Sequence, residues 1–405
     1  MKKKNGFTLV ELLAVIVILA IILVIAVPKI TDTIKNSKIA SFESSAKTIA
    51  AQAEKKKMEN EILEDTGSIN CSDVVKLNDT DYGNCSITFD GNTAKVTLVG
   101  KGKFKGLKIT NGTKDNAKAE EIKAPVYGNA VNYVNGLYAY DASSNGLEKD
   151  TTSDANIRYV GANPNNYVEF NGETWRIIGV FGSNLKLVRD DILTEYSFDN
   201  KTTAQGIDTN YGTNDWTKSY LREFLNDYYY EEKTITCHSE TSGSSANNAT
   251  ITCPDINKIS TTAKSMIQNT LWNLGGLSFD EGSVNELYTK ERGTQVYNDH
   301  ETKSSDYIGL IYPSDYGFAS TDESCSQDPF GITCKNNNWL YKGVWYWTIS
   351  PRSSHAHGVF RVNGDGYLNR YSALYRGGVR PSVYLKSDIM IVSGSGTKGD
   401  MFKLG

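Results

Sequence analysis

Gly6-Phe7-Thr8-Leu9-Val10-Glu11, running without a break into Leu12 to Val27, is the stretch on which the reading of the whole chain turns. Leu12 to Val27 is 16 apolar residues in succession, and the 19 residues from Leu9 to Val27 carry one charge, Glu11. At ~1.5 Å of helical rise per residue, such a run approaches the ~30 Å of a bilayer's hydrocarbon layer. Lys2, Lys3 and Lys4 precede it, and no comparable apolar segment follows in the 405 residues. The positive-inside rule then predicts a single-pass protein in the cell membrane with its C-terminal bulk outside. A cleaved secretory signal would need a small-residue site after the run. Ile25-Ala26-Val27-Pro28 is a poor one, and helical patterning continues beyond it. Glu11 is the anomaly: a carboxylate in such surroundings costs about 2–3 kcal/mol and calls for a partner or a function.

With its basic leader and apolar run, the Gly6–Glu11 hexapeptide resembles the processing motif of type IV prepilins and pseudopilins. The resemblance implies that a prepilin peptidase cuts after Gly6 and that the new N-terminal amine, on Phe7, is methylated. It also implies that Glu11 pairs with the Phe7 amine of a neighbouring subunit during assembly, so that other pilin subunits are partners through this helix. Such a pair is tolerable only at one axial stagger, which makes it a register device more than a source of stability. Pro28 falls where the family has a helix-bending proline, and a proline inside a helix removes one hydrogen bond.

Past the apolar run, Ile30, Ile34, Phe42, Ala46, Ile49 and Ala53 form one stripe at helical spacing, with lysines and serines on the other faces. The helix is expected to run from Phe7 to about Met58 and to pack its outer half on a small head. A coiled coil is the competing reading of that stripe. Ser86–Phe89 and Lys95–Val99 alternate around Asp90-Gly91-Asn92, a hairpin signal. The pilin resemblance implies that this head is a compact antiparallel sheet. From Asn111 to Glu121 the chain is polar and aperiodic and reads as a linker or an exposed edge. The division expected is a leader (1–6), an N-terminal helix (7–58), a head (59–110), a linker (111–125) and a C-terminal surface module (126–405). The class is α+β, with a β-rich module.

The six cysteines fall in three local pairs: Cys71 with Cys85, Cys237 with Cys253, and Cys325 with Cys334. Sequence does not prove connectivity, but an even count, local spacing and an external compartment favour three loop-closing disulfides. Cys237-His238 with Cys253 would be the metal-ligand alternative.

In the module, Tyr167–Phe170, Thr174–Val180 and Leu185–Arg189 read as a three-strand meander whose first turn, Asn171-Gly172, is type I′. Helices are expected from Trp216 to Tyr228, capped by Asn214 or Asp215, and from Thr261 to about Trp272. Later strands are expected at Tyr307–Tyr312, Val344–Ile349, Gly358–Val362 and Gly378–Lys386, ahead of Ser393–Thr397, which is flexible in composition although the chain can still pack around it. Trp175-Arg176, Trp216 through Leu225, Trp347 through Arg352, and Gly378-Val379-Arg380-Pro381 resemble a family of Firmicute surface and secreted proteins. By looser analogy that family looks C-type-lectin-like. The calcium–sugar tripeptides of true lectins are missing: Asn163-Pro164-Asn165 and Gln327-Asp328-Pro329 are imperfect echoes.

The net charge of −4 gives no basic footprint for nucleic acid. No serine sits in a nucleophile-elbow context and no carboxylate pair has a defined catalytic setting, so the chain does not read as an enzyme. His355-Ala356-His357 would share one face of a strand and, with Asp365, could ligate a metal, but an exposed loop after Pro351 is the better reading. No metal and no cofactor is expected. Arg352, Arg361, Arg370, Arg376 and Arg380 lie among Tyr367, Tyr371 and Tyr375, the residue types that binding hot spots favour. Of these, Arg352, Arg361, Tyr367, Arg370 and Arg376, with His355 and His357, mark the candidate surface for a glycan or protein ligand. A pilin-like subunit with an adhesive module, a pseudopilin of a type II-like secretion or DNA-uptake system, and a tethered enzyme all fit these features, taken in that order.

Overall fold

The computed structural model describes residues 9–64, 67–78, 80–202, 210–241, 245–278 and 282–405, except the side chains of Val10, Glu11, Ile21, Leu23 and Ile25. Gly6 and Phe7 lie outside the described residues, as does the side chain of Glu11. The chain is mixed α+β and divides into two compact units: Met1–Ala124 with Ala139–Asp141, and Pro125–Tyr138 with Ala142–Gly405.

The first unit is built on helix α1, Leu9–Ile62, which extends four residues past the Met58 end expected from the pattern and contains Pro28. Among the described residues no helix is long and apolar enough to cross a membrane. Ile30 and Ile34 of the apolar stripe are exposed, whereas Phe42, Ala46, Ile49, Ala50 and Ala53 are fully buried. The sheet they pack on runs β1 (Tyr82–Asp90), β2 (Thr93–Gly100), β3 (Leu107–Gly112) and β4 (Glu120–Glu121), in that order. Val96, Leu98 and Ile109 meet the helix, and Phe104 lies 5.2 Å from Phe42 and 5.1 Å from Tyr82 between ring centroids. Charged side chains of α1 reach over to the sheet as well. Glu54 accepts the Ala94 amide at 3.2 Å and pairs with Lys114 at 2.9 Å, and Glu43 accepts the Ala119 amide at 3.0 Å. Of the two readings of Asn111–Glu121, a linker or an exposed edge, the structure has the edge. Ala117 is buried and Glu120–Glu121 pair with Leu107 and Lys108, so this segment closes the small unit as a short, charged edge strand. Cys71 and Cys85 are joined.

The second unit opens with β5 (Gly128–Asn129) and the helix Ala130–Asn145, then β6 (Leu147–Lys149), β7 (Ile157–Tyr159), β8 (Tyr167–Phe170), β9 (Glu173–Phe181) and β10 (Asn184–Arg189). Strands β8 to β10 are the expected meander, and Asn171 (φ 58°) and Gly172 (φ 70°) both occupy the left-handed region that a type I′ turn demands. There follow β11 (Thr194–Ser197), β12 (Cys237–His238), β13 (Thr250–Ile251), β14 (Thr270–Asn273) and β15 (Lys303–Asp306). The last strands are β16 (Tyr346–Pro351), β17 (Gly358–Val362), β18 (Leu368–Ser372), β19 (Arg376–Val379), β20 (Ser382–Tyr384), β21 (Met390–Ser393) and β22 (Phe402–Leu404). One sheet runs β20-β10-β9-β8-β22-β21-β5, with β7 added to β9 and β6 to β7. A second runs β11-β19-β16-β17-β18. A single core containing Trp175, Trp216, Trp272 and Trp347 joins them. Cys237–Cys253 and Cys325–Cys334 are also joined.

Several expected elements change form. The helix expected over Trp216–Tyr228 is a 3-10 turn at Trp216–Lys218, capped by Asp215. A helix then begins at Tyr220 under Ser219 and widens to a π-helix over Phe224–Tyr230. The helix from Thr261 stops at Met266, and Trp272 belongs to β14, where its indole N–H reaches the Asp306 carbonyl at 3.1 Å. Tyr307–Tyr312 is a buried connection after β15, not a strand. Gly378–Lys386 is split into β19 and β20 at Arg380-Pro381, because proline cannot donate to a ladder. The tail is not loose. Phe402 is fully buried, and Gly394 (φ 91°) and Gly396 (φ 75°) turn the chain so that β22 can pair with β21 and β8.

Candidate functional site

The five-stranded sheet positions a surface where several aromatic rings converge on a cation with no carboxylate partner among the described residues. Trp347 faces Arg361 across β16 and β17, Arg361 faces Asn369, and Val359 faces Tyr371 across β17 and β18. Cross-strand partners share a face, so Arg361 and Tyr371 stand on the same side of the sheet as diagonal neighbours. The Arg361 guanidinium lies 3.9 Å from the Tyr371 ring centroid and 4.5 Å from that of Trp345. Trp345 is 5.7 Å from Tyr371 and 5.1 Å from the buried Trp347, and Tyr371 stacks on Tyr375 at 4.4 Å. Gly377 makes room for this shelf. A Cβ there would sit 2.1 Å from the Trp345 ring, so any side chain would push the indole away.

The row continues at the other end of the sheet. Tyr211 packs on His357 with the rings 4.9 Å apart and tilted by 34°, and its carbonyl accepts from the Ser372 hydroxyl at 3.0 Å and the Leu374 amide at 3.1 Å. The loop carrying His355 and His357 is held from beneath by Asn214. Its buried amide donates to the carbonyls of Arg352 (3.0 Å), His355 (2.8 Å) and Gly358 (2.8 Å). Asn214, which the pattern offered only as a helix cap, is thus the residue that shapes this loop.

The expected binding residues do not form one patch. Arg361 is at the centre of the shelf and His357 at its far end. His355 sits 6.0 Å from His357, in a loop and not on a strand, and its Nδ1 meets the Ser354 hydroxyl at 3.0 Å. Arg352 is half-buried where β16 leaves the sheet. Tyr367 enters the β17–β18 hairpin, its carbonyl accepting the Asn363 amide at 2.8 Å. Arg370 faces Phe360, which alternation puts on the opposite side from Arg361 and Tyr371. Arg376 opens β19 and reaches the Glu195 carbonyl. Arg380 is fully buried and donates to the carbonyls of Arg189 and Leu340, a structural role. Trp345 and Tyr211 were missed; only the alternation Trp345-Tyr346-Trp347 hints at the first.

Among the described residues no three His, Cys, Asp or Glu side chains are placed to hold a metal ion. The strongest electrostatics lie in the core. Asp315 accepts from Arg158 (2.8 Å), from the Tyr312 amide (3.0 Å) and from Lys186, while Arg158 also donates to Asp150 at 2.6 Å. The two cations hold the Asp315 carboxyl down to about 2 despite its burial. Burial among the rings of Tyr312, Tyr384 and Trp272 draws Lys186 down to about 8. Glu291, fully buried and bonded to the Ser314 amide and hydroxyl, is pushed up to about 7. Each buried charge here meets a partner, as a low-dielectric interior requires. Arg361 is different: burial lowers its pKa, and no acceptor among the described residues takes its N–H groups.

Residues 1–27 match a family model described as the prokaryotic N-terminal methylation motif. Residues 182–387, just over half of the chain, match the model described as domain of unknown function DUF6273. No curated protein and no solved structure matches the chain.

Proposed function

We propose that this chain, which belongs to the DUF6273 family and carries a type IV pilin-like N-terminus, is a minor pilin that displays a ligand-binding module outside the cell. The observation that carries the reading is the methylation motif at residues 1–27 leading directly into α1, whose outer half packs on a disulfide-joined antiparallel sheet. Before assembly the Leu9–Val27 run anchors the chain by a single pass in the membrane. Once the prepilin peptidase has removed the leader, Phe7 and Glu11 of neighbouring subunits pair and fix the stagger of the helices. Ile30 and Ile34, uncovered on α1, are apolar surface of the kind a helical neighbour would bury. The shelf around Arg361 is the binding surface of the module. A C-type-lectin-like architecture for that module belongs to the same proposal. What supports it is that the module's first strand, β5, and last strands, β21 and β22, lie together in one sheet.

The test is Glu11→Ala in the native host. The expected result is a variant retained at normal level in the membrane fraction and lost from sheared surface filaments. Equal recovery of variant and parent from the filaments would contradict the pilin reading.

A further inference from the structure

We propose that the shelf binds an acidic polysaccharide: Arg361 takes the carboxylate or sulfate of one sugar, and Tyr371 and Tyr375 stack against sugar ring faces. This rests on the reading of the module as a ligand-binding one and names the class of ligand. The starting point is the state of Arg361. Several other cations of the module have carboxylate partners, Arg158 with Asp150 and Asp315, Lys186 with Asp315, Arg176 with Asp190 and Arg222 with Asp306, and the fully buried Arg380 donates to main-chain carbonyls. Arg361 is half-buried, yet among the described residues no carboxylate lies within ion-pair distance and no oxygen accepts from it. Its contacts there are the two rings. A guanidinium held between Trp345 and Tyr371, whose rings meet edge to face at 75°, has already lost part of its rotamer freedom and part of its water. Its planar N–H edge is therefore preorganised for the two oxygens of an anion.

The rings decide between ligand classes. Trp345, Tyr371 and Tyr375 lie on the face of β16–β18, in which β16 and β17 are paired on both sides and β18 is the edge strand. An acidic peptide docking as a strand would pair along the edge of β18 and leave the rings on the face of the sheet uncovered. A saccharide needs flat apolar surface for the C–H face of each pyranose and a charged anchor for its acid group. The stacked Tyr371–Tyr375 pair, 4.4 Å apart and inclined by 28°, supplies the first, and Arg361 supplies the second.

The experiment uses the full chain in detergent micelles and measures binding to polygalacturonate, dextran sulfate, neutral dextran and poly-L-glutamate. Polygalacturonate or dextran sulfate should bind, with affinity that falls as salt rises; which of the two is tighter identifies the anion. Arg361→Gln should weaken binding at least tenfold. Arg361→Lys, which keeps the charge and loses the planar fork, should fall between the two. Tyr371→Ala should also weaken it at least tenfold, and thermal midpoints near the parent's would show these variants to be folded. Neutral dextran binding as well as the anionic polymers, poly-L-glutamate binding as well as polygalacturonate, indifference to Arg361→Gln, or no binding to any polymer would each overturn the inference. Adhesion of host cells to mucin- and matrix-coated surfaces separates this failure from that of the wider reading. If Tyr371→Ala abolishes adhesion while no acidic polymer binds, only the ligand class is wrong. If adhesion is unchanged as well, the binding role of the shelf is wrong too.

Discussion

Glu291 is a fully buried carboxyl group, and its ordinary value near 4.5 is moved up to about 7 because burial penalises the anion more than Arg292 and Ser314 favour it. The folded chain therefore binds this proton more tightly than the unfolded chain. Its contribution to stability is present below about pH 4.5 and is lost as pH rises through 7. Glu291→Gln should flatten the profile: little change in urea midpoint at pH 4.5, and a gain of about 3 kcal/mol over the parent at pH 8. Parallel profiles for the two proteins would show that Glu291 is ionised in the fold. Asp315 has the opposite sign. Its depressed value means that its contribution is present above the ordinary carboxylate range and is lost as pH falls towards 2. Asp315→Asn strips both Arg158 and Lys186 of a buried partner and should cost about 3–5 kcal/mol, read from urea unfolding at neutral pH.

At the scale of elements, local signals were legible where one rule acted alone. Asn171-Gly172 fixed a turn and a register, and the stripe Phe42, Ala46, Ile49 and Ala53 marked the buried face of α1. Ile49→Ala should destabilise the small unit by about 2–4 kcal/mol, measured by thermal unfolding, since Ile49 is fully buried against the sheet. Signals failed where tertiary packing overrode local preference. Trp272 continues an apolar pattern from Thr261 yet leaves the helix to place its indole on the Asp306 carbonyl. The serine- and glycine-rich tail reads as loose, yet Phe402 pins it into the large sheet. Gly377 carries no local signal at all; its meaning is the Trp345 ring above it. Gly377→Ala should displace that ring, shift the indole fluorescence and cost about 1–3 kcal/mol, with acidic polysaccharide binding lost in parallel. Unchanged fluorescence and stability would mean that the shelf does not depend on that close approach.

At the scale of the molecule, the order of a helix, a small stapled head and a larger β-rich module could be read from composition and spacing, and the pilin resemblance implied that the head is a sheet. The proposed binding surface could not. Tyr211, Trp345, Arg361 and Tyr371 come from separate segments that only the order β19-β16-β17-β18 and the Asn214-held loop bring together. A list of arginines near tyrosines in sequence mixed the shelf's Arg361 with Arg380, which is sealed in the core. Everything proposed for the whole chain depends on how its N-terminus is processed in the cell. Mass spectrometry of the protein purified from its native host gives the direct answer. The account expects residues 1–6 to be absent and the chain to begin with an N-methylated Phe7. A chain that still begins at Met1, with Lys2, Lys3 and Lys4 in place, would contradict it.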